Sequence, residues 1–357
     1  MTTRNVHFVG SVKLEDSTSV FTALAEHVGA RAARYTDGET SERSNWLAWQ
    51  VKVFDTHPNF ELDPGGARVD ERTGQPIAPK FRLRDGVDGD EVWFEPVGYA
   101  DVALESYAEF VRLRREGVVP SGARFQVSLP TPLAVVSAFV VDGHAPLVER
   151  AYDHAMRREV ETMLAGIEHA DLAIQWDVCL ELTAYDGGRS LYEADPLTHA
   201  TATVSQMIAV TPPHVDVGVH LCYGDAGHKH IIEPQDLGSS VIFANSINAA
   251  APRPLDWAHM AVPRDRSDSD YFAPLADLHH EESELVLGLI HFTDGLEGAL
   301  DRMEAAGEFA TDFGVATECG FGRRPVETVV PLLQLHAAVA DSIGTDREQS
   351  RPSRMDS

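Results

Sequence analysis

Residues 215–222 read Val-Asp-Val-Gly-Val-His-Leu-Cys, a stretch that is typical of a buried strand. Read with a period of two, its four aliphatic side chains point to one side of a sheet and the other four residues to the opposite side. His220 and Cys222 belong to this second set and lie at the carboxyl end of the predicted strand. Because active sites of α/β barrels lie at the carboxyl ends of the strands, the octapeptide predicts a barrel strand with functional groups at its end.

The alternation of β-rich and helical patterns extends over the whole chain. Candidate strands cover residues 6–12, 124–129, 172–179, 215–222, 240–245, 285–292 and 313–319, with a weaker signal within 89–97. Amphipathic helical patterns cover residues 17–28, 104–115, 146–169, 295–306 and 325–343. This order favours a parallel sheet, and seven or eight units favour a single (βα)8 TIM barrel of the α/β class over residues 1–343. A doubly wound open sheet is the competing arrangement.

The amino-acid composition limits the kinds of molecule that the protein is expected to bind. The 357 residues include 56 acidic and 29 basic side chains, for a formal net charge of −27 at pH 7. Such a surface repels phosphate backbones and anionic lipid, so we expect neither nucleic acid nor a membrane as partner. No apolar run approaches the ~20 residues that span a bilayer. The N-terminus shows no signal-type apolar core, and we expect a cytoplasmic protein.

Other sequence features exclude further classes. The three cysteines are too few for a disulfide framework. No glycine-rich phosphate-binding turn follows any candidate strand. Residues 344–357 are polar without an apolar period, which predicts a disordered tail.

The cysteines indicate a metal site. His220 and Cys222 project side by side at one strand end, and Cys319 ends the last candidate strand. All strands of a barrel converge on one mouth, so these three side chains predict a site for a soft tetrahedral ion. Zinc fits best, because imidazole and thiolate are its preferred ligands and a fourth position stays open. The competing interpretation is two unrelated buried thiols beside a core histidine.

Two long connections, residues 34–90 and 248–284, interrupt the strand–helix pattern. The second carries Trp257, His259 and Tyr271 together with arginines, a mixture suited to covering a ligand. We expect this connection to act as a lid over the mouth of the barrel. A surface excursion without chemical function is the alternative.

Five segments resemble the catalytic barrel of cobalamin-independent methionine synthase and the related zinc-dependent thiol alkyltransferases, in the superfamily that also contains uroporphyrinogen decarboxylase. Less specific are His7-Phe-Val-Gly-Ser-Val12, which resembles the family's first strand, Asp37-Gly-Glu-Thr-Ser-Glu-Arg43, which resembles His-Gly-Glu-x-Glu-Arg, and Ile174-Gln-Trp-Asp177, which resembles Gln-Ile-Asp-Glu-Pro. More specific are Val219-His-Leu-Cys-Tyr223, which resembles the zinc motif His-Met-Cys-Tyr, and Glu318-Cys-Gly-Phe-Gly-Arg-Arg324, which resembles Asp-Cys-Gly-Leu-Lys-x-Arg.

The resemblance implies roles for individual residues. His220, Cys222 and Cys319 match zinc ligands. Glu39 and Asp177 match carboxylates that hold the substrate ammonium group in methionine synthase, and Ser11 matches a residue lining that pocket.

Simpler interpretations of the two carboxylates stay open. Glu39 is alternatively a solvated loop charge, and Asp177 a partner of Arg43. The predicted substrate-binding set is Ser11, Glu39, Arg43, Asp177 and Trp257.

The chain departs from the family pattern in three ways. A glutamate ligand on the sixth strand has no counterpart, and its place falls near Ala244 or Asn245. The family's Asp-x-His is replaced by His291-Phe-Thr293. The amino-terminal half of full-length methionine synthase is absent, so we do not expect a true methionine synthase.

Other side chains in or near these motifs are candidates for catalytic or metal-binding roles. We expect Asp177 and His291 to act in catalysis, His291 by exchanging a proton. His228 and His230 offer a possible fourth ligand or acid–base group, and Cys179 is interpreted as barrel packing.

These features together predict a zinc-dependent transferase that moves an alkyl or methyl group to or from a thiol through a zinc-bound thiolate. Its partners are small molecules, a thiol and an alkyl donor, and the sequence leaves the oligomeric state open. The alternative is a zinc-dependent lyase or hydrolase that uses zinc-bound water. A metal-free decarboxylase-like barrel is disfavoured because the strand ends are mostly acidic, and a structural zinc site because such sites normally have four protein ligands.

Overall fold

A parallel sheet forms the centre of the molecule. The computed structural model describes residues 6–65, 79–187, 191–192, 195–225, 229–280 and 282–349, with side chains as far as residue 342. The nine strands of these residues are β1 Arg34–Thr36, β2 Phe60–Leu62, β3 Phe81–Leu83, β4 Arg124–Pro130, β5 Leu172–Val178, β6 Asp216–Leu221, β7 Trp257–Ala261, β8 Glu284–Ile290 and β9 Gly314–Thr317. Seven pair in the order β1-β4-β5-β6-β7-β8-β9, and β2 and β3 form a separate antiparallel pair.

The strand order is that of a sheet wound in one direction, in which each strand of the main sheet pairs with the next along the chain. Residues 6–12 run between its two edge strands, since Val6 forms isolated parallel bridges to both Ala32 and Val315. The predicted strand at 6–12 is therefore an irregular segment that contacts both edges. The α/β class and the parallel sheet are confirmed, whereas eight regular barrel strands are not.

Helices connect the strands. In the described part of the chain they are α1 Ser17–His27, α2 Val51–Asp55, α3 Tyr99–Arg115, α4 Pro132–Phe139, α5 Ala145–Gly166, α6 Leu180–Asp186, α7 Pro196–Val210, α8 Gly238–Ala250, α9 Ser269–Phe272, α10 Gly295–Gly307 and α11 Val329–Gln349. Short 3-10 helices span Gly29–Arg31, Ser41–Gln50, Gly89–Glu91, Ala273–Asp277 and Val326–Thr328. None of the helices within the described ranges has the length and apolarity that a membrane span requires.

Several helices show why their sequences are helical. Asp16 caps α1 by accepting a hydrogen bond from the backbone N–H of Ser19 at 2.8 Å. Thr131 caps α4 in the same way, with a proline at the start of that helix. The five predicted helices correspond to α1, α3, α5, α10 and α11.

One predicted strand is wrong. Residues 240–245 lie inside α8, where the buried side chains of Ser240, Ala244 and Ile247 recur every three or four positions. The β-branched and aromatic residues of this segment are of the types found in strands, but the buried positions of the segment follow the helical period.

The strand that lies between β6 and β8 in the sheet is β7, which comes from residues 248–284 and not from the predicted strand at 240–245. That connection therefore contributes a strand to the sheet, and the prediction that the whole of it forms a lid is wrong. The other long connection, residues 34–90, likewise contains a strand of the sheet, β1.

One further prediction is corrected, since no strand lies within residues 89–97, which begin with a 3-10 helix. Helix α11 extends to Gln349, and the boundary of the folded domain at residue 343 stays a prediction. The rest of the predicted tail, residues 350–357, lies outside the described residues.

Trp257 fills the space enclosed by the curled sheet at the amino-terminal ends of its strands. A Cβ atom at Gly218 would lie 2.1 Å from the Trp257 ring, so glycine is required at that position of β6. Arg34 stacks over the same ring, 4.3 Å from its centroid, and forms an ion pair with Glu284. This closed layer leaves the opposite, carboxyl end of the sheet for the functional groups.

Candidate metal centre and cavity

The three predicted metal ligands converge at the carboxyl end of the sheet. His220 lies near the end of β6, Cys222 follows that strand, and Cys319 follows β9. Their ligand atoms all lie within 4.8 Å of one another. The nitrogen and sulfur ligands of a tetrahedral zinc ion lie about 3.5–3.8 Å from one another. A small inward movement of the three side chains would therefore let them bind one zinc ion together.

The imidazole of His220 is suited to hold a metal. Its Nδ1 is 2.7 Å from Nδ1 of His259, and His259 Nε2 is 3.1 Å from the carbonyl oxygen of Thr317. The other nitrogen, His220 Nε2, is buried and has no hydrogen-bond partner among the described residues. Burial lowers the pKa of His220 well below its ordinary value, assisted by His259 and Arg323. A neutral imidazole with one unpaired nitrogen is what zinc coordination requires.

Of the two thiols, Cys222 is buried beside Cys179 and Cys319 is partly buried. Hydrogen bonding to Cys179 and burial raise the pKa of Cys222 well above the usual thiol range. Hydrogen bonding to Cys222 and burial do the same for the pKa of Cys319. Cys179 directly follows β5 and packs in the same buried cluster as Cys222, yet it is not part of the group of mutually close ligand atoms.

The three predicted metal ligands line a cavity of about 250 Å³. The predicted site residues in its wall are Ser11, Glu39, Asp177, His220, Cys222 and Cys319. Residues from five separate segments of the chain thus face one space, as expected at the carboxyl ends of parallel strands. A volume of this size accommodates a small molecule beside the predicted ligands.

Glu39 and Asp177 form a carboxylate pair in this cavity. Burial and the charge of Asp177 raise the pKa of Glu39 to about 8. Burial likewise raises the pKa of Asp177 to about 7, although Gln175 Nε2 donates a hydrogen bond to Asp177 Oδ1 at 3.0 Å. Two neighbouring buried carboxyl groups favour retaining a proton, and here burial and the charge of Asp177 outweigh the charges of Arg43 and Arg323, which lower the pKa of Glu39. Glu39 is therefore not a solvated loop charge.

The loop that carries Glu39 has an unusual backbone. Gly38, Glu39 and Ser41 all have positive φ angles, of 80°, 44° and 59°. A Cβ atom at residue 38 would lie 2.6 Å from the side chain of Val20, so glycine is required there. Positive φ at non-glycine residues is costly and is frequent at functional sites, and here it places the Glu39 carboxylate in the cavity.

Arg43 does not contact Asp177. Its Nη2 lies 2.8 Å from Asp37 Oδ2, and the hydroxyl of Ser106 donates to the same carboxylate oxygen at 2.9 Å. Arg43 is absent from the wall of the cavity. The ion pair with Asp37 holds Arg43 at the start of the Glu39 loop, and the wall of this cavity gives no support for its predicted role in substrate binding.

Trp257 and His291 also lie away from the cavity. Trp257 is fully buried in the layer at the other end of the sheet. His291 Nε2 lies 2.9 Å from the carbonyl oxygen of Val262, and its Nδ1 lies 3.7 Å from Glu318. The geometry therefore supports neither ligand binding by Trp257 nor direct proton exchange by His291.

The remaining histidine candidates are not in the ligand group. His230 Nδ1 lies 2.9 Å from Glu233 and its Nε2 lies 3.2 Å from Glu318. Although burial acts in the opposite direction, these two carboxylates raise the pKa of His230 to about 9, so it is a cation that holds its loop. His228 lies outside the described residues.

The place of the missing glutamate ligand is corrected. Ala244 and Asn245 are on α8, whereas the strand end beside the metal ligands is Ala261, which packs against Cys222 and Cys179. Alanine offers no ligand atom. Within the described ranges the cluster therefore offers three potential protein ligands.

Four residues of the site were missed as functional groups by the sequence analysis. Asn45 and Trp46 line the cavity from the loop after β1 and take the position expected of the 248–284 lid. Arg323 also lines it, with Nη2 3.8 Å from Cys319 Sγ. A basic residue four positions after a predicted ligand was a usable signal for Arg323. His259 was noted only as part of the lid.

Comparison with known proteins gives a match in fold. No family model matches the chain, and no curated protein matches it in sequence. A B12-independent methionine synthase from a Shewanella species, in complex with selenomethionine, superposes with a TM-score of 0.62 at 13% identity, over 93% of this chain and 89% of that one. A methyltransferase from Methanosarcina mazei superposes with a TM-score of 0.51 at 12% identity, over 96% and 95%. The resemblance to the methionine synthase barrel is confirmed at the level of the fold.

Proposed function

We propose that this protein is a zinc-dependent transferase that moves an alkyl group, such as methyl, to or from the sulfur of a small-molecule thiol. The observation that carries the proposal is the three-donor set of His220, Cys222 and Cys319 in the wall of a cavity that also holds a carboxylate pair. The names of the two proteins that share the fold, a methionine synthase and a methyltransferase, support methyl transfer as the reaction class.

The donor set fits zinc better than other common ions. One imidazole nitrogen and two sulfurs are a preferred combination for zinc and unsuited to magnesium or calcium. Three ligands leave one position open towards the cavity, as in catalytic rather than structural zinc sites. Zinc held there would lower the pKa of a substrate thiol in that position, so that the reactive thiolate is present at neutral pH.

The protein's own residues would bind and orient the thiol. Glu39 and Asp177 present two carboxylates that are stabilised when a cation lies between them. A substrate that carries an ammonium group as well as a thiol satisfies both halves of the cavity. Trp46 and Leu47 cover the same space and would exclude water from the reacting sulfur.

The carboxylate pair predicts a pH dependence of substrate binding. Because the pKa values of Asp177 and Glu39 are raised to about 7 and about 8, both carboxyl groups are mostly protonated at pH 6 in the absence of substrate. We expect an amine-bearing thiol to bind more tightly as the pH rises from 6 to 8, and a thiol of similar size without the amine to show a smaller change. Calorimetric titration of both thiols across this range measures the difference. Parallel profiles for the two ligands would contradict an ammonium site.

Cobalt substitution tests whether the reacting ligand is a thiol. We expect the cobalt-loaded protein to show a new thiolate-to-metal absorption band when the correct thiol is added, and turnover to require that thiol. The alternative, a hydrolase or lyase, would use water in the open position. Solvent oxygen in the product, without any need for a thiol, would exclude the transferase and retain the metal site.

A further inference from the structure

His259 contacts the predicted ligand His220 and has no role in the function proposed above. It is fully buried on β7, opposite His220 on β6 in the strand register. It is not among the residues that line the cavity. A histidine that cannot touch the substrate, yet contacts a ligand side chain, is a candidate positioning residue.

The hydrogen bonds of His259 fix where its proton is. The carbonyl oxygen of Thr317, 3.1 Å from His259 Nε2, can only accept a hydrogen bond, so Nε2 must carry the hydrogen. A neutral imidazole protonated at Nε2 has only a lone pair at Nδ1. That lone pair faces His220 Nδ1 at 2.7 Å, so His220 must donate from Nδ1.

The consequence for His220 is a single tautomer. With its hydrogen on Nδ1, the lone pair of His220 is on Nε2, which is the buried atom without a partner among the described residues. If both tautomers were reversed, the lone pair of His259 Nε2 would face a lone pair of the Thr317 carbonyl oxygen. His220 Nε2 would then carry a hydrogen, which would prevent it from binding a metal.

We propose that His259 is a positioning residue that holds His220 in the Nδ1-protonated tautomer and so directs the Nε2 lone pair towards the metal. The inference rests on the proposed zinc site for its purpose, but the tautomer itself is a property of the metal-free protein. The backbone of β9, through Thr317, is the anchor of this two-histidine chain, which connects the metal ligand to the rest of the barrel.

Two variants test the role. His259→Leu removes the acceptor, and we expect the zinc dissociation constant to rise by about 10- to 100-fold, the usual cost of losing such a partner. His259→Asn keeps an oxygen acceptor near the position of Nδ1, and we expect it to recover most of the affinity. His336→Leu is the matched control, because His336 is also buried and bound to a backbone carbonyl, Leu332 O at 2.7 Å, but lies outside the cavity wall.

Nitrogen-15 shifts of the His220 ring in the metal-free, unmutated protein give a readout that needs neither zinc nor activity. The expected spectrum shows protonated Nδ1 and unprotonated Nε2. A spectrum with protonated Nε2, or a His259→Leu protein that binds zinc as tightly as the His336→Leu control, would overturn the inference. Should the unmutated protein bind no zinc, the proposed function fails, and the nitrogen-15 spectrum still decides the tautomer.

Discussion

Replacement of Cys222 or Cys319 by serine is expected to abolish tight zinc binding while the protein stays folded. Each thiolate would be one of only three protein ligands in the described cluster, so its loss should cost more than the ~10- to 100-fold typical of an outer partner. We expect the fold to tolerate both substitutions, because the two side chains lie beyond the strand ends, away from the layer that contains Trp257. Metal analysis after dialysis measures zinc retention, and circular dichroism measures the fold.

Cys179→Ser is the matched control for this experiment. Cys179 follows the neighbouring strand β5, packs in the same cluster as Cys222 and is buried to a similar degree, but it is outside the ligand group. We expect this variant to retain about one zinc per chain, as the unmutated protein does. Equal zinc content in all three serine variants and the unmutated protein would contradict the assigned ligand set.

The sequence brings the three predicted metal ligands together, as the structure does, because their signal is local. His220 lies in β6 and Cys222 directly follows that strand, so a period of two is enough to place them on the same side. Cys319 follows a separate strand, β9, and parallel strands bring their carboxyl ends together whatever the details of the connections. Long-range packing adds little to these placements.

The errors concern features that local patterns do not determine. Residues 240–245 carry strand-type side chains but bury a helical face, and β7 is a five-residue strand inside a polar connection. Missing β7 also hid His259, whose role depends on the register between β6 and β7. The position of Arg43 depends on a contact with Asp37, six residues away along a strained loop, which no spacing rule predicts.

The carboxylate pair predicts opposite effects of one substitution on stability and on activity. The pKa values of Asp177 and Glu39 are raised in the folded state to about 7 and about 8, from ordinary values of 3.8 and 4.5. Groups with raised pKa values stabilise the fold below their unfolded pKa, and this contribution is lost as the pH rises from about 4 to about 8. Asp177→Asn and Glu39→Gln cannot ionise, so each metal-free variant should be more stable than the parent at pH 8, by at least ~1 kcal/mol, with little difference at pH 4.

Activity should change in the other direction. Each substitution removes a charged partner of a substrate ammonium group, worth about 1.5–3 kcal/mol, or a fall in kcat/KM of about 10- to 150-fold for an amine-bearing thiol. Glu181→Gln is the matched control, because burial raises the pKa of Glu181 to about 7 as well, yet Glu181 does not line the cavity. It should be stabilised at pH 8 without losing activity. Urea unfolding at pH 4 and pH 8 measures stability, and an Asp177→Asn enzyme with unchanged kcat/KM would show that the pair does not bind the substrate.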